Sequence, residues 1–174
     1  MLTKKLQLSI DVNDEEFNLI YPESIRKMAQ TQWTPVDVAK MAAMYLVEKP
    51  GTKALDIGSG IGKFCMIGAS CTDGQCTGAE QRENLVAMAN EYAAKYEIEN
   101  ARFIHSNIID VPFTEFEAFY FFNAFYENID RHAVIDNTIE RGIHYYNMYT
   151  SYVSEQLTKM PVGTKVGGYI LEFT

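Results

Sequence analysis

Three glycines at alternate positions, with a carboxylate two residues ahead of the first, carry the strongest chemical signal in this sequence: Asp56-Ile57-Gly58-Ser59-Gly60-Ile61-Gly62. Without Cβ atoms, Gly58, Gly60 and Gly62 let the backbone take positive φ angles and bring its amides against a ligand, beside the N-terminus of the next helix. A dinucleotide fingerprint needs a glycine three positions after Gly60, where Lys63 stands, so the spacing argues against NAD or FAD. A phosphate-cradling P-loop would end in Gly-Lys-Ser/Thr, but Gly62-Lys63 runs into Phe64, which argues against a nucleoside triphosphate. A second carboxylate, Glu80, closes Thr77-Gly78-Ala79-Glu80, roughly twenty positions downstream of the loop. At a strand end it can accept hydrogen bonds from both hydroxyls of a ribose; the alternative is a cap for the helix beginning near Glu83. The histidines His105, His132 and His144 are scattered without metal-site spacing, and no metal is expected.

These residues need a scaffold that delivers them to one edge. From Lys53 onward apolar runs alternate with helical periodicities, the pattern of a parallel sheet with crossover helices. Strands are predicted at Lys53 to Ile57, Gln75 to Ala79, Ala101 to His105, Ala118 to Phe122 and Lys165 to Phe173. The fourth is wholly apolar, as a strand buried on both faces should be. Helices are predicted from about Ile61 to Ser70, from Arg82 to Tyr96 and, as one long or two consecutive helices, over Ala133 to Met160. Thr34 is read as N-cap of a helix Pro35 to Glu48 with proline at its first position. Residues 1 to 33 form an N-terminal extension with a helix around Glu15 to Gln30 interrupted at Tyr21-Pro22; the core is 34 to 174. The expected fold is α/β and doubly wound, a mostly parallel sheet with helices on both faces.

The run from Asp56 to Gly62, with Glu80 after it, resembles the first motif of class I, Rossmann-like S-adenosylmethionine-dependent methyltransferases. The resemblance implies S-adenosylmethionine as cofactor, with Asp56 near the methionine amino group and Gly58, Ser59, Gly60 and Gly62 forming the loop beneath it. It implies Glu80, with Gln81 beside it, at the ribose. In His105-Ser106-Asn107-Ile108 it places Asn107 where the family usually has an aspartate accepting from the adenine amine, with Ile108 against the ring. A loop asparagine tolerating an unusual backbone is the other reading of Asn107.

The stretch Asn123-Ala124-Phe125-Tyr126-Glu127, after the fourth strand, is similar to the Asn-Pro-Pro-Tyr/Phe motif of amino methyltransferases. It also resembles the Asn-Asn-Phe stretch of non-SET histone-lysine methyltransferases. By that resemblance Asn123 and Tyr126 are the candidate catalytic residues, orienting a target nitrogen, and the chain is an N-methyltransferase acting on an amine of a protein or small molecule. Ala124 departs from the family's proline or asparagine, and the alternative is that Asn123 caps a helix and the rings are core. Gln32-Trp33-Thr34-Pro35 is similar to segments that cover the methionine end of the cofactor, with Thr34 at the pocket. A complete class I fold ends in an antiparallel hairpin that this sequence lacks. A catalytically silent binder or interaction module, including a truncated fragment, therefore stands as the alternative, and an exposed fifth strand could support self-association.

Composition bounds the rest. With 174 residues, 47% apolar, one domain with a sizeable core is expected. The net charge of -8 argues against nucleic acid as substrate, because a nonspecific grip on phosphates comes from clustered Lys and Arg. Three cysteines without a CxxC pair point to a reducing compartment, and no apolar run of about 18 residues suggests a membrane span, so a cytoplasmic protein is expected.

Overall fold

The computed structural model describes residues 12–27 and 33–169. Its centre is a five-stranded sheet: β1 (Lys53–Ile57), β2 (Gln75–Glu80), β3 (Ala101–His105), β4 (Ala118–Phe122) and β5 (Lys165–Tyr169). All neighbours are parallel, in the order β3-β2-β1-β4-β5. The strand order reverses beside β1, so the carboxyl ends of β1, β2 and β4 flank the crevice where open α/β sheets bind ligands. Four of the five strands begin where the sequence places them and end within one residue of it; the fifth begins at Lys165, and its expected continuation to Phe173 lies outside the described residues.

The strands separate two cores by simple alternation. Ala54, Cys76, Phe103, Ala118 and Tyr120 face one apolar cluster, while Leu55, Ile57, Ala79 and Phe119 face the other. The first is covered by α3 (Val36–Leu46), α4 (Lys63–Cys71) and α5 (Glu83–Lys95). The second is covered by two 3-10 turns, Ile108–Asp110 and Phe113–Glu115, and by α6 (Ile143–Thr158). Tyr149 and Val153 carry α6 onto the sheet.

Two local expectations are corrected. Residues 133–142 do not continue a helix: α6 starts only at Ile143, after a 3-10 turn at Arg131–Ala133 and the extended Gly142. As expected, the N-terminal helical stretch is interrupted at Tyr21-Pro22, giving α1 (Asp14–Asn18) and α2 (Glu23–Arg26); residues 28–30 of the expected helix lie outside the described residues, and Val12, Phe17 and Tyr21 are buried in the first cluster. Thr34 does not cap α3. Pro35 is the N-cap residue, the Val36 amide donates instead to the Asp14 carboxylate at 3.2 Å, and the Thr34 hydroxyl hydrogen-bonds the Tyr120 hydroxyl at 3.0 Å.

Candidate functional site

The β1–α4 loop is folded back onto the end of β2 by its own backbone. The amides of Gly58 and Ser59 both donate to the Ala79 carbonyl, at 3.0 and 3.1 Å, and the Gly60 amide donates to Glu80 Oε2 at 3.1 Å. Gly62 starts α4 at φ 82°, and a Cβ there would lie 2.3 Å from the Phe103 ring, so glycine is required twice over. A Cβ on Gly58, at φ 73°, would meet the Ala124 Cβ at 3.2 Å. The loop and the chain after β4 thus pack against each other, and a small residue at 124 suits that contact.

A pocket opens over this loop, lined by residues from the ends of β1, β2 and β4 and from the loops that follow them. Of the residues singled out from the sequence, it gathers Thr34, Asp56, Gly58, Ser59, Gly60, Glu80, Gln81, Ile108 and Asn123. Gly62, Asn107 and Tyr126 are not part of its lining. Gly62 turns toward Phe103, as above. Asn107 spends its carboxamide locally: Oδ1 accepts from the Ile109 amide at 3.2 Å, capping a 3-10 turn, and Nδ2 donates to the Tyr149 hydroxyl at 3.2 Å. Tyr126 opens the 3-10 turn Tyr126–Asn128, beyond the lining.

Asp56 is buried on the pocket floor, with no cation paired to it among the described residues. Its recorded hydrogen bond comes from the Cys65 thiol, Sγ to Oδ2 at 3.7 Å. Burial pushes its carboxyl up to about 8, helped by the charge of Glu80 and opposed by the Cys65 bond. The Ser59 hydroxyl, close over Gly78 of β2, is also buried without a hydrogen-bond partner among the described residues. An uncompensated acid and an orphan hydroxyl in one pocket leave the polar chemistry of the floor incomplete. A ligand bearing an ammonium and further polar groups is what those two side chains fit.

Glu80 sits at the other end. Oε2 accepts from Gly60 and Oε1 from the Arg82 amide at 3.0 Å, and each oxygen keeps a second lone pair for a ligand hydroxyl. Burial raises its carboxyl above the ordinary range, while the hydrogen bond and charge of Arg82 pull it back.

The Arg82 guanidinium is itself buried in the pocket wall and surrounded by acids. It donates to both Glu127 oxygens at 2.8 and 2.7 Å and, through Nε, to Asp136 at 3.0 Å, with Glu80 Oε1 at 3.7 Å. Burial alone would lower its pKa, but the bonds to Glu127 and Asp136 hold it above the usual arginine value.

The N-terminal side is sealed by a second buried cation. The Lys63 ammonium pairs with Asp14, donates to Asn18 Oδ1 at 3.1 Å and lies 5.6 Å from the Trp33 ring centroid. Trp33 and Thr34 line the mouth on that side, fixed by the Tyr21 ring and the Tyr120 hydroxyl. On the β4 side, Asn123 (φ 48°) and Phe125 (φ 71°) take the left-handed region, which an asparagine tolerates and a phenylalanine seldom does. That backbone aims Asn123 and Phe125 at the pocket.

The sequence reading missed Arg82 and Lys63. The first was only a helix boundary and the second only the residue that spoils a dinucleotide motif. The available signal was their position beside the two motifs.

Residues 48–151 match the family described as "Methyltransferase domain". No curated protein matches the sequence. Among solved structures, TrmN from Thermus thermophilus aligns at 16% identity with a TM-score of 0.56, covering 80% of this chain and 39% of that one. The cyclase SpnF aligns at 18% identity with a TM-score of 0.51, covering 64% of this chain and 48% of that one. This chain therefore spans less than half of either protein, and at such identities the likeness is one of fold.

Proposed function

This chain belongs to the methyltransferase-domain family, and from that premise we propose that it binds S-adenosylmethionine in the β1–β2–β4 pocket and transfers its methyl group to a nitrogen acceptor. The observation that carries the cofactor assignment is the pocket lining: a buried Asp56 with no cation paired to it among the described residues, and a Ser59 hydroxyl without a hydrogen-bond partner among them. The ammonium of a methionyl group would give Asp56 its missing counter-charge, and Ser59 would gain a partner. Glu80 would accept from the ribose hydroxyls. Ile108 would pack on the adenine, with Gln81 and Ser106 at its edge.

When bound, the cofactor supplies a methyl group on a positively charged sulfur, so no metal is needed to activate it. The residues must then bring a lone pair into line with that methyl and keep water away, and positioning is worth several orders of magnitude in rate. Asn123, which follows β4 and lines the pocket, would do this: its carboxamide oxygen could accept from an amine and turn the nitrogen lone pair toward the methyl. Phe122, Phe125 and Trp33 would exclude water around it.

The test is methyl-labelled S-adenosylmethionine offered to fractionated protein and small-molecule extracts. Label on amines supports the nitrogen reading. Label only on carboxylates or carbon centres rejects it, and no label in any fraction while the cofactor still binds favours a silent binder.

A further inference from the structure

Resting on that cofactor reading, we infer that Arg82 is a positioning residue that couples the ribose-facing Glu80 to the acceptor-side segment 126–139. One guanidinium gathers carboxylates from three parts of the chain: Glu80 at the end of β2, Glu127 in the turn after β4, and Asp136 in the segment before α6. Its side chain is 2% exposed and its contact with Glu127 is two-pronged, the geometry in which an arginine fixes orientation as well as charge.

The segment it holds has no helix or strand of its own. It consists of two 3-10 turns and irregular chain, yet its Ile135 and Ile139 line the pocket. Side-chain bonds must therefore keep that wall in place. Asp136 is the informative partner, because it touches Arg82 at 3.0 Å but is not part of the pocket lining. Removing the guanidinium would leave Glu80 and Glu127 facing each other without a cation, which turns Glu80 into a poorer acceptor and releases the segment.

Arg82→Lys and Asp136→Asn test this with S-adenosylhomocysteine as the probe, read by calorimetry, by dissociation rate and by amide hydrogen exchange over residues 129–139. Asp136→Asn should weaken binding about threefold to tenfold, chiefly through faster dissociation, although it never meets the ligand. Arg82→Lys should lose more, since an ammonium cannot reproduce the two-pronged contact, and Asp136→Glu should restore most of the affinity. Exchange in 129–139 should accelerate in both variants. A merely structural arginine would lower the melting temperature and leave affinity and dissociation rate unchanged in the folded variants, which would overturn the coupling alone. Failure of the parent protein to bind S-adenosylhomocysteine would instead overturn the cofactor reading and the coupling with it. Should Arg82→Lys not fold, Asp136→Asn decides by the same measurements.

Discussion

The two walls of the pocket are built on opposite principles. The wall built from the β1–α4 loop is made of short-range backbone geometry: three glycines, two amides on the Ala79 carbonyl, and Glu80 fastened to the amide of Gly60. The opposite wall is irregular chain after β4, held by side chains that reach across the fold, above all Arg82 to Glu127 and Asp136. A locally encoded wall can stay the same while the other is rebuilt for a new acceptor, which is how one fold hosts many reactions.

The largest expected effect falls on the first wall. A Cβ on Gly60 would meet no atom of the described residues within 4 Å, and Gly60 has φ 54°. Gly60→Val would project into the pocket and strain the loop by about 1–2 kcal/mol. Binding of S-adenosylmethionine should be abolished while the protein remains folded by circular dichroism. Unchanged affinity would show that the loop is not the cofactor's seat.

Asn123→Ala should separate the walls most clearly. Methyl transfer should slow by on the order of a hundredfold while cofactor affinity stays nearly intact. A matching loss of affinity would erase the distinction between them. Glu80→Ala should then cost about 1.5–3 kcal/mol of cofactor binding, the usual worth of hydrogen bonds to a charged group, and deoxyribose analogues should lose a matching amount in the parent and little more in the variant.

A pH series sharpens the same contrast. Because the Asp56 carboxyl is pushed up to about 8, above the value it has in an unfolded chain, its proton is bound more tightly in the folded state. Its contribution to stability is therefore fully present below about pH 4 and lost as pH rises through about 8, so Asp56→Asn should become increasingly stabilising to the unliganded protein over that window. Cofactor binding should run the other way. An ammonium favours the ionised acid, so affinity should rise by up to about tenfold per pH unit below pH 8 in the parent and stay flat in Asp56→Asn. The smallest effect expected is that of Thr34→Val, which removes the bond to the Tyr120 hydroxyl and should cost about 1 kcal/mol of stability, read by denaturant titration.

The same contrast explains what could be read from the sequence. Strand boundaries, the Asp56-Gly62 loop and Glu80 were legible because each depends on residues within one βα unit, where periodicity and spacing speak directly. Arg82 was not, since its partners Glu127 and Asp136 lie 45 and 54 positions away. Lys63 similarly finds Asp14 at a separation of 49. The expected cap at Thr34 failed because Asp14, distant in sequence, supplies the acceptor for Val36 and frees the threonine hydroxyl for Tyr120. The helix expected from Ala133 begins only at Ile143 for a similar reason. Asp136 is engaged with Arg82 and Thr138, and Arg141 donates to the Asp136 carbonyl at 2.5 Å, so side-chain bonds hold the chain between the 3-10 turn at Arg131–Ala133 and the start of α6.

Calorimetric titration of the protein with S-adenosylhomocysteine and, separately, with NAD tests the central claim most directly. One S-adenosylhomocysteine should bind per chain, with NAD giving no heat of binding, and Asp56→Asn should weaken the first without creating the second. Binding of NAD, or the absence of S-adenosylhomocysteine binding by the folded parent protein, would contradict the assignment of this pocket.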